Sequence, residues 1–493
     1  MIAGQLPALV VVVPLAAAPL VVLVRRPVAA WAIAAAACAF SFFAALLLAA
    51  EVARDGPISY ALGSWPPPWG IEYRVDAFNA FVLVLVSGAA TVVAPYGWRA
   101  VAAEVRRDQL YLYHATFCLC VAGLLGMAIT GDAFNLFVFM EIASLASYIL
   151  IALGRDRRAL LAAYQYLILG TIGATFYVIG VGLLYLVTGT LNIADMAARL
   201  PAVADLRPVL AALAFVTVGV SLKLALFPLH FWLPNAYAYA PSAVSAFLSA
   251  TATKVSVYVL LRFYFGVFGL PLVVETLPMP QILLALSIVA IVSASLVALW
   301  QSDLKRLFAY SSVAQIGYIT LGIGMASREG LTAAVVHLFN HGITKGALFL
   351  LVGCVALRAG GAGFASLRGL ARAMPLTALG ITLAGLSLIG VPGTAGFVSK
   401  WYLVLGAIEA GRWWLAALVV GTSLIAVGYV WRFVETAYLA EPGPATPARG
   451  EASPVMLAPA WLLVAACLWF GFDTSFTVTS ASRAAALLLG GAP

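Results

Sequence analysis

The chain has 493 residues, of which 64% are hydrophobic and 9% are charged, and its formal net charge is +8. Its mean hydropathy of +1.05 excludes an ordinary soluble domain. The positive charge does not indicate nucleic-acid binding, because no basic stretch is interleaved with stacking aromatic residues.

Apolar stretches of about 20 residues, the length that crosses a bilayer, recur along the whole chain. They predict an all-α polytopic membrane protein with about 14 transmembrane helices. The first stretch has no basic segment before it, so we expect a retained helix rather than a cleaved signal. The predicted spans are 6–24, 28–50, 76–97, 111–130, 132–153, 160–187, 209–232, 241–268, 280–300, 305–326, 331–357, 375–405, 412–438 and 455–472.

The basic residues of the connections are distributed unequally between the two sides of the predicted bundle. If the connection with Arg25 and Arg26 is cytoplasmic, 14 of the 27 basic residues lie on that side and seven on the other. The remaining six lie inside helices or near their ends. This bias agrees with the positive-inside rule and predicts that both termini lie outside the cytoplasm.

Lysine is rare in this chain, yet four of its five lysines lie inside predicted spans. A lysine at the bilayer centre costs about 2.5–3.5 kcal/mol on insertion scales, so such residues usually line a polar path or bind something. Lysine also loses its proton more readily than arginine when it is desolvated. Arginine in the connections and lysine in the spans therefore indicate proton transfer. The four lysines are Lys223, Lys254, Lys345 and Lys400.

Glu141, in the fifth span, is the only acidic residue deep inside the first half of the chain. A buried carboxylate needs a partner, and Lys223 in the seventh span is the natural candidate. A static ion pair that holds two helices together is one interpretation. A functional pair is favoured, because a membrane ion pair costs stability that leucines would not.

The seventh span is interrupted after Lys223 by Pro228, which is followed by His230. Proline inside a helix removes a backbone hydrogen bond and breaks or kinks the helix. Irregular backbone is tolerated at membrane depth only where it faces protein or water. We therefore expect a broken helix at Pro228, with His230 connecting the break toward the cytoplasm.

The eighth span combines Lys254 with six hydroxyl residues. The hydroxyls can hold water beside the buried lysine, which suits a proton route. They can instead donate to carbonyls of their own helix, and the sequence leaves that alternative open. The six residues are Ser242, Ser245, Ser249, Thr251, Thr253 and Ser256.

The eleventh span carries His337, His341 and Lys345 at successive i, i+4 spacing, which places them on one helix face. Two histidines at this spacing can bind a metal, but no third ligand or general-base glutamate accompanies them. We therefore predict no metal site here. Neutral histidines that relay protons near physiological pH fit the pattern better.

The twelfth span contains a second break, at Pro392, before Lys400. The two breaks lie five spans apart and each accompanies a lysine, which is the signature of inverted repeats in secondary transporters. Two unrelated proline kinks are the alternative. The predicted regions are residues 1–110 with helices 1–3 and an external loop, 111–268 with helices 4–8 as the first five-helix repeat, 280–438 with helices 9–13 as the second, inverted repeat, and 439–493 with a loop and helix 14.

Four motifs give the chain a resemblance over residues 70–440 to the antiporter-like subunits of respiratory complex I, membrane-bound hydrogenases and Mrp-type cation/proton antiporters. FNLFVFMEIASLASY resembles the family's fifth-helix glutamate motif, and SLKLALFPLHFWLPNAYAYAPSAVSAFLSATATK resembles its stretch with two lysines and a helix break. HLFNHGITKGALFL is similar to its eleventh-helix motif and GVPGTAGFVSKWYL to its broken twelfth helix. Lys400, where other members carry glutamate, is similar to the D-type subunit of Mrp antiporters and the N-type subunit of complex I; M-type subunits are related.

The resemblance implies a proton-translocating subunit of a multisubunit Mrp-type Na+/H+ antiporter in a bacterial inner membrane. Glu141 would act as a switch that holds a proton when it pairs with Lys223 and releases it on moving toward a neighbouring subunit. The expected partners are lipid and other membrane subunits, including further antiporter-like ones, with H+ and Na+ transported and no cofactor or catalytic centre. The implied pathway residues are Glu141, Lys223, His230, Lys254, His337, His341, Lys345 and Lys400.

Two other functions are alternatives. The first is an antiporter-like proton-pumping subunit of a redox complex, NADH:quinone oxidoreductase or membrane-bound hydrogenase, in which reactions on other chains drive the same path. Neighbouring genes for Fe–S subunits would indicate that function. The second is a standalone transporter of an organic solute, which needs a binding pocket at the membrane midplane. A series of charged groups spread over four helices argues against it.

Overall fold

The computed structural model describes residues 3–490 and is almost entirely helical. Fourteen helical segments, α1–α14, follow the predicted spans in order; α7 and α12 are each divided into two parts, and α15 follows at the C-terminus. The helices are α1 (Leu6–Val24), α2 (Pro27–Asp55), α3 (Ala77–Glu104), α4 (Leu110–Ile129), α5 (Ala133–Ala152), α6 (Arg157–Thr188), α7a (Arg207–Leu224), α7b (Trp232–Tyr239), α8 (Ser242–Leu261), α9 (Met279–Leu299), α10 (Leu304–Gly324), α11 (Arg328–Ala359), α12a (Pro375–Ile389), α12b (Ala395–Glu409), α13 (Trp413–Val434), α14 (Pro454–Phe472) and α15 (Ser475–Leu488).

The helix lengths agree with a polytopic membrane protein. Within residues 3–490, thirteen helices are long and apolar enough to cross a membrane. The remaining predicted span, 375–405, is divided into α12a and α12b, which have 15 residues each. A helix of that length extends about 22 Å, which is short of the roughly 30 Å hydrocarbon core. The predicted all-α polytopic fold is confirmed.

Acidic side chains mostly lie at helix ends, where they cap free backbone N–H groups. The Asp76 carboxylate accepts from the backbone N–H groups of Phe78 and Asn79 at the start of α3, at 3.0 and 3.2 Å. Asp132 caps α5 and Asp303 caps α10 in the same way. A carboxylate at a helix N-terminus also complements the helix dipole. Glu141 differs from these capping residues, because it lies in the middle of α5.

Small residues let the crossing helices approach closely. A side-chain Cβ at Gly219 in α7a would lie 2.6 Å from the Gly173 carbonyl oxygen in α6, and one at Gly123 in α4 would lie 2.5 Å from the Ala143 backbone nitrogen in α5. Such distances exclude any residue larger than glycine without movement of a helix. This close packing, typical of membrane bundles, fixes the positions of α5 and α7a, which carry Glu141 and Lys223.

Both predicted helix breaks are present. The helix α7a ends at Leu224, Ala225 adopts a left-handed conformation with φ of 58°, and α7b begins only at Trp232. Gly390 ends α12a with φ of 90°, and α12b begins at Ala395. The carbonyls that a helix end leaves free need new partners. At the first break the indole nitrogen of Trp232 donates to the Leu222 carbonyl at 2.9 Å.

The two ends of the bundle differ in structure. At one end of the bundle, β-bridges join Val105 to Gly154 and Asp303 to Gly363. We call this end the basic face. At the opposite face, strands β1 (Ile58–Ala61) and β2 (Glu72–Val75) form an antiparallel hairpin with Ile58 paired to Val75. Sequence analysis did not predict this hairpin, the helix Ile193–Arg199, or α15.

Candidate functional site

The predicted ion pair between Lys223 and Glu141 is present. Lys223 lies in the last turn of α7a, with its Nζ 3.6 Å from Glu141 Oε1 and donating to Ser144 Oγ at 2.7 Å. The Lys223 side chain is only 4% exposed, whereas that of Glu141 is 26% exposed. Glu141 is therefore less buried than the sequence suggested. Its carboxylate lies between the enclosed lysine and the outer surface of the bundle.

His230 lies in the break of α7, beside Pro228. Its ring stacks near those of Phe227 and Phe231, with centroids 5.3 and 5.0 Å away. Its Nδ1 is buried without a hydrogen-bond partner. Among residues 3–490, the structure shows no hydrogen bond from this ring to any other proposed pathway residue.

Lys254 is enclosed in the middle of α8, with 1% exposure. Its Nζ donates to the Ser249 carbonyl of its own helix. Ser249, Thr251 and Ser256 also donate to carbonyls of α8, so the back-bonding alternative holds for these three hydroxyls. The hydroxyl groups of α8 therefore do not form a continuous row of free donors.

The three predicted groups of α11 are all buried. The Lys345 ammonium crosses to α10, donating to the Phe308 carbonyl at 2.7 Å and to Ser311 Oγ. The rings of His337 and His341 stack with their centroids 5.9 Å apart. Both ring nitrogens of His341 are buried without a partner. The helix of Lys254, α8, packs directly against α11, which carries His341 and Lys345.

His337 connects α11 to the second helix break. Its Nδ1 lies 2.7 Å from Ser399 Oγ, and its Nε2 lies 2.9 Å from Gln315 Oε1. Since both ring nitrogens are engaged, His337 is not free to ligate a metal. Ser399 precedes Lys400 in α12b. The Tyr318 ring borders both His337 and Lys400, with its centre 5.8 Å from that of the His337 ring and 4.7 Å from Lys400 Nζ.

The Lys400 ammonium donates hydrogen bonds to backbone carbonyls that the break of α12 leaves free. Its Nζ donates to the carbonyls of Leu388 and Ile389, the last residues of α12a, at 3.3 and 2.7 Å. It also donates to Ser423 Oγ at 2.9 Å and lies 4.7 Å from the centre of the Tyr318 ring. Carbonyl dipoles at a helix C-terminus stabilise a cation. A positive charge is thus held here without a carboxylate.

The buried lysines differ in whether a negatively charged group lies beside the ammonium. Within residues 3–490, Lys223 is the one lysine with a carboxylate oxygen within 4.0 Å. Lys254, Lys345 and Lys400 have only neutral oxygen atoms as hydrogen-bond partners. These three ammonium groups are therefore held by neutral dipoles alone, whereas Lys223 also faces a carboxylate.

Sequence analysis missed a cluster at the basic face, where α8 begins. Lys305 Nζ donates to Ser242 Oγ at 3.0 Å, and Ser242 donates to Glu104 through its hydroxyl and its backbone N–H, both at 2.7 Å. Glu104 and Lys305 line a cavity of about 810 Å³. Asp156 also lines it, and a hydrogen bond from Arg158 lowers the pKa of that carboxyl. The rarity of lysine was the signal that could have identified Lys305.

A second missed pair lies at the other end of α8. The Arg262 guanidinium contacts Asp76, the cap of α3, at 2.5 Å, and its Nε donates to the Tyr258 hydroxyl at 3.0 Å. The pair borders a cavity of about 290 Å³ at the opposite face. The helix that carries Lys254 therefore has charged groups and a cavity at both ends.

Comparison with known proteins agrees with the fold and with these motifs. The family described as NADH:quinone oxidoreductase/Mrp antiporter, TM, matches residues 130–426. The N-type subunit of the NADH-quinone oxidoreductase of Desulforudis audaxviator is 44% identical over 440 residues, 88% of this chain and 87% of that protein. The D-type subunit of the Na(+)/H(+) antiporter of Alkalihalophilus pseudofirmus is 32% identical over 382 residues, 77% of this chain and 76% of that protein.

A solved structure is similar over the whole chain. The structure of the Mrp complex from Dietzia sp. DQ12-45-1b contains a chain that superposes with a TM-score of 0.90 at 27% identity, covering 99% of this chain and 98% of that one. The four motifs, the two broken helices and the family match lead to one assignment. This chain belongs to the NADH:quinone oxidoreductase/Mrp antiporter family of membrane subunits.

Proposed function

We propose that this chain is a proton-translocating subunit of a multisubunit membrane complex. The observation that carries the proposal is a set of buried basic groups on three helices, in which α11 packs against both α8 and α12b: Lys254 in α8, His341 and His337 in α11, and Lys400 in α12b. Static packing does not require such groups, because a lysine inside a membrane bundle is costly.

The proposed route begins at the basic face. Protons reach the 810 Å³ cavity, pass the cluster of Lys305, Ser242 and Glu104, and follow α8 to Lys254. In this proposal uptake is at the start of α8, whereas the sequence suggested that His230 connects the route toward the cytoplasm. Water is the expected link where buried groups lack protein partners.

The second part of the route crosses α11. From Lys254 a proton passes to His341 or Lys345, then to His337, and through the Ser399 hydroxyl to Lys400. A neutral imidazole can accept a proton at one nitrogen and release one from the other. The proton then leaves toward the opposite face, which the positive-inside rule assigns to the outside.

Glu141 is the proposed switch. Its side chain is 26% exposed, so the carboxylate can turn from Lys223 toward a neighbouring antiporter-like subunit. While paired, it stabilises the Lys223 ammonium; when it turns away, Lys223 is left as an uncompensated buried charge and gives up its proton.

The parent complex is proposed to be an Mrp-type Na+/H+ antiporter. The TM-score of 0.90 to a chain of an Mrp complex supports this proposal. A redox-driven proton pump is the second candidate, favoured by the 44% identity to an N-type subunit of NADH-quinone oxidoreductase. The subunit composition of the purified complex separates the two: Fe–S subunits indicate the pump, and small membrane subunits alone indicate the antiporter.

Residues 111–268 and 280–438 are proposed to be two inverted five-helix repeats. One broken helix in each supports this division. The chain is also proposed to lie in a bacterial inner membrane with both termini outside the cytoplasm, which the 14 segments and the arginine-rich connections support.

Proton transport by the complex reconstituted in liposomes tests the proposal. Lys254→Gln should reduce proton movement to the background of empty liposomes, because it removes the group between the uptake cavity and α11. Arg207→Gln, which removes an exposed charge at the start of α7a, is the matched control and should keep the rate. An assembled Lys254→Gln complex with the wild-type rate would overturn the proposed route.

A further inference from the structure

A groove at the opposite face, away from the proton route, has the features of a ligand site. It has a volume of about 580 Å³ and is enclosed by the end of α2, the start of α3 and the C-terminal helix α15. That volume lies within the range of about 300–1,000 Å³ that small-molecule sites occupy. Its position at the end of apolar helices places it where the membrane surface meets the bundle.

The walls of the groove are apolar and smooth. Ala49 and Ala53 of α2 and Ala80 of α3 present only methyl groups, while Phe81 and Phe476 provide aromatic surface. Phe81 and Phe476 also contact each other, with ring centroids 5.4 Å apart, so α15 is packed against α3. Such a surface matches a hydrocarbon chain and offers little to a free polar solute.

Two guanidinium groups line the same groove, those of Arg54 and Arg483. Both side chains are exposed. Arg54 has one weak partner, Asp55, at 4.0 Å, and within residues 3–490 Arg483 has no carboxylate within that distance. Two arginines and one aspartate leave a net positive charge. The sequence assigns only seven basic residues to this side of the bundle, so two at one groove are a local concentration.

We propose that this groove binds one anionic phospholipid of the outer leaflet, with an acyl chain along the alanine wall and the phosphate between Arg54 and Arg483. An apolar channel beside two guanidiniums is complementary to the two parts of such a molecule, since arginine binds phosphate through paired N–H donors. Inorganic phosphate shares the headgroup chemistry but gains nothing from the apolar wall.

The lipid also has a structural consequence. Phe476 of α15 packs against Phe339 of α11. Phe339 lies two residues before His341, which is one of the proposed pathway groups. A lipid bound between α2 and α15 therefore holds α15 against the helix that carries His337 and His341. The site does not depend on the chain moving protons, and it can exist in either parent complex.

Native mass spectrometry of the purified complex, incubated with phosphatidylglycerol or phosphatidylcholine, tests the site. The wild type should retain phosphatidylglycerol preferentially. Arg54→Gln and Arg483→Gln should each lower that preference about fivefold, and the double variant should remove it. Arg207→Gln is the matched control and should not change it.

Two further measurements separate a lipid site from a phosphate site. Ala53→Trp, an exposed position on the groove wall, should reduce retention of both lipids by filling the groove. Inorganic phosphate should not displace phosphatidylglycerol from the wild type. Unchanged lipid preference in the assembled Arg54→Gln/Arg483→Gln complex, unchanged retention in Ala53→Trp, or displacement by inorganic phosphate would each overturn the proposal.

Discussion

Two lysines lie beside the two helix breaks, and the groups around their ammonium nitrogens differ. Lys223 precedes the first break and faces the Glu141 carboxylate and the Ser144 hydroxyl. Lys400 follows the second break and faces two backbone carbonyls and the Ser423 hydroxyl. A helix break thus lies beside one lysine that is paired with a carboxylate and beside one that is not.

The difference separates two ways of controlling a proton. The charge on Lys223 depends on a carboxylate that reaches the bundle surface, so a neighbouring subunit can act on it. The charge on Lys400 depends on fixed carbonyl dipoles, which cannot move away. We infer that the Glu141–Lys223 pair receives a signal and that the lysines without a carboxylate partner conduct.

Glu141→Ala should have the largest effect, because it removes the switch but leaves the packing of α5 intact. Proton transport should fall at least about hundredfold, a typical loss when a proton-transferring side chain is deleted. Glu141→Asp should retain part of the rate, since the charge persists at shorter reach. Transport by the assembled complex in energised vesicles measures the effect, and a near-normal rate in Glu141→Ala would remove the distinction between the two lysines.

Lys223→Ala and Lys400→Ala should each impair transport strongly, but they should differ when combined with Glu141→Ala. Adding Glu141→Ala to Lys223→Ala should cause little further loss, because the two groups act as one pair. Adding it to Lys400→Ala should reduce any residual rate again. Equal behaviour of the two double variants in vesicle transport would contradict the assignment of separate roles.

Ser399→Ala should reduce proton transport about tenfold, since the hydroxyl that is bonded to His337 Nδ1 is lost while His337 and Lys400 remain. Ser399→Thr keeps the hydroxyl and is the matched control. The comparison of the two rates in the same vesicles isolates the hydroxyl. Equal rates would show that the route does not pass through this contact.

Ser144→Ala and Ser423→Ala delete the hydroxyl partner of each lysine and should have the smallest effects, about fivefold or less. Lys223 keeps its carboxylate and Lys400 keeps two carbonyls, so neither ammonium loses all its partners. Initial transport rates in vesicles measure both. A loss as large as that of Lys223→Ala would mean that the hydroxyl, and not the carboxylate, governs the first lysine.

Much of the fold could be predicted, because membrane spans depend on the length of apolar stretches and breaks depend on proline. Pro228 and Pro392 mark both interruptions in the sequence itself. The pairing of Glu141 with Lys223 follows from charge scarcity, since only one acidic group is available deep in the first half.

Other features depend on tertiary contacts that sequence spacing does not encode. Ser399 and Gln315 come from α12b and α10, and only packing brings them to His337. Glu104 and Lys305 are about 200 positions apart and meet through Ser242. The partial exposure of Glu141 is a surface property that no one-dimensional pattern reports.

Arginine substitution at Lys400 tests the central claim most directly. Arginine keeps the positive charge and can still donate to the Ile389 carbonyl, but it does not release a proton at physiological pH. If Lys400 conducts protons, the assembled Lys400→Arg complex should transport protons no faster than Lys400→Ala in liposomes under the same driving force. Transport at the wild-type rate would mean that the site requires only a positive charge, and the claim of proton exchange through the unpaired lysines would be wrong.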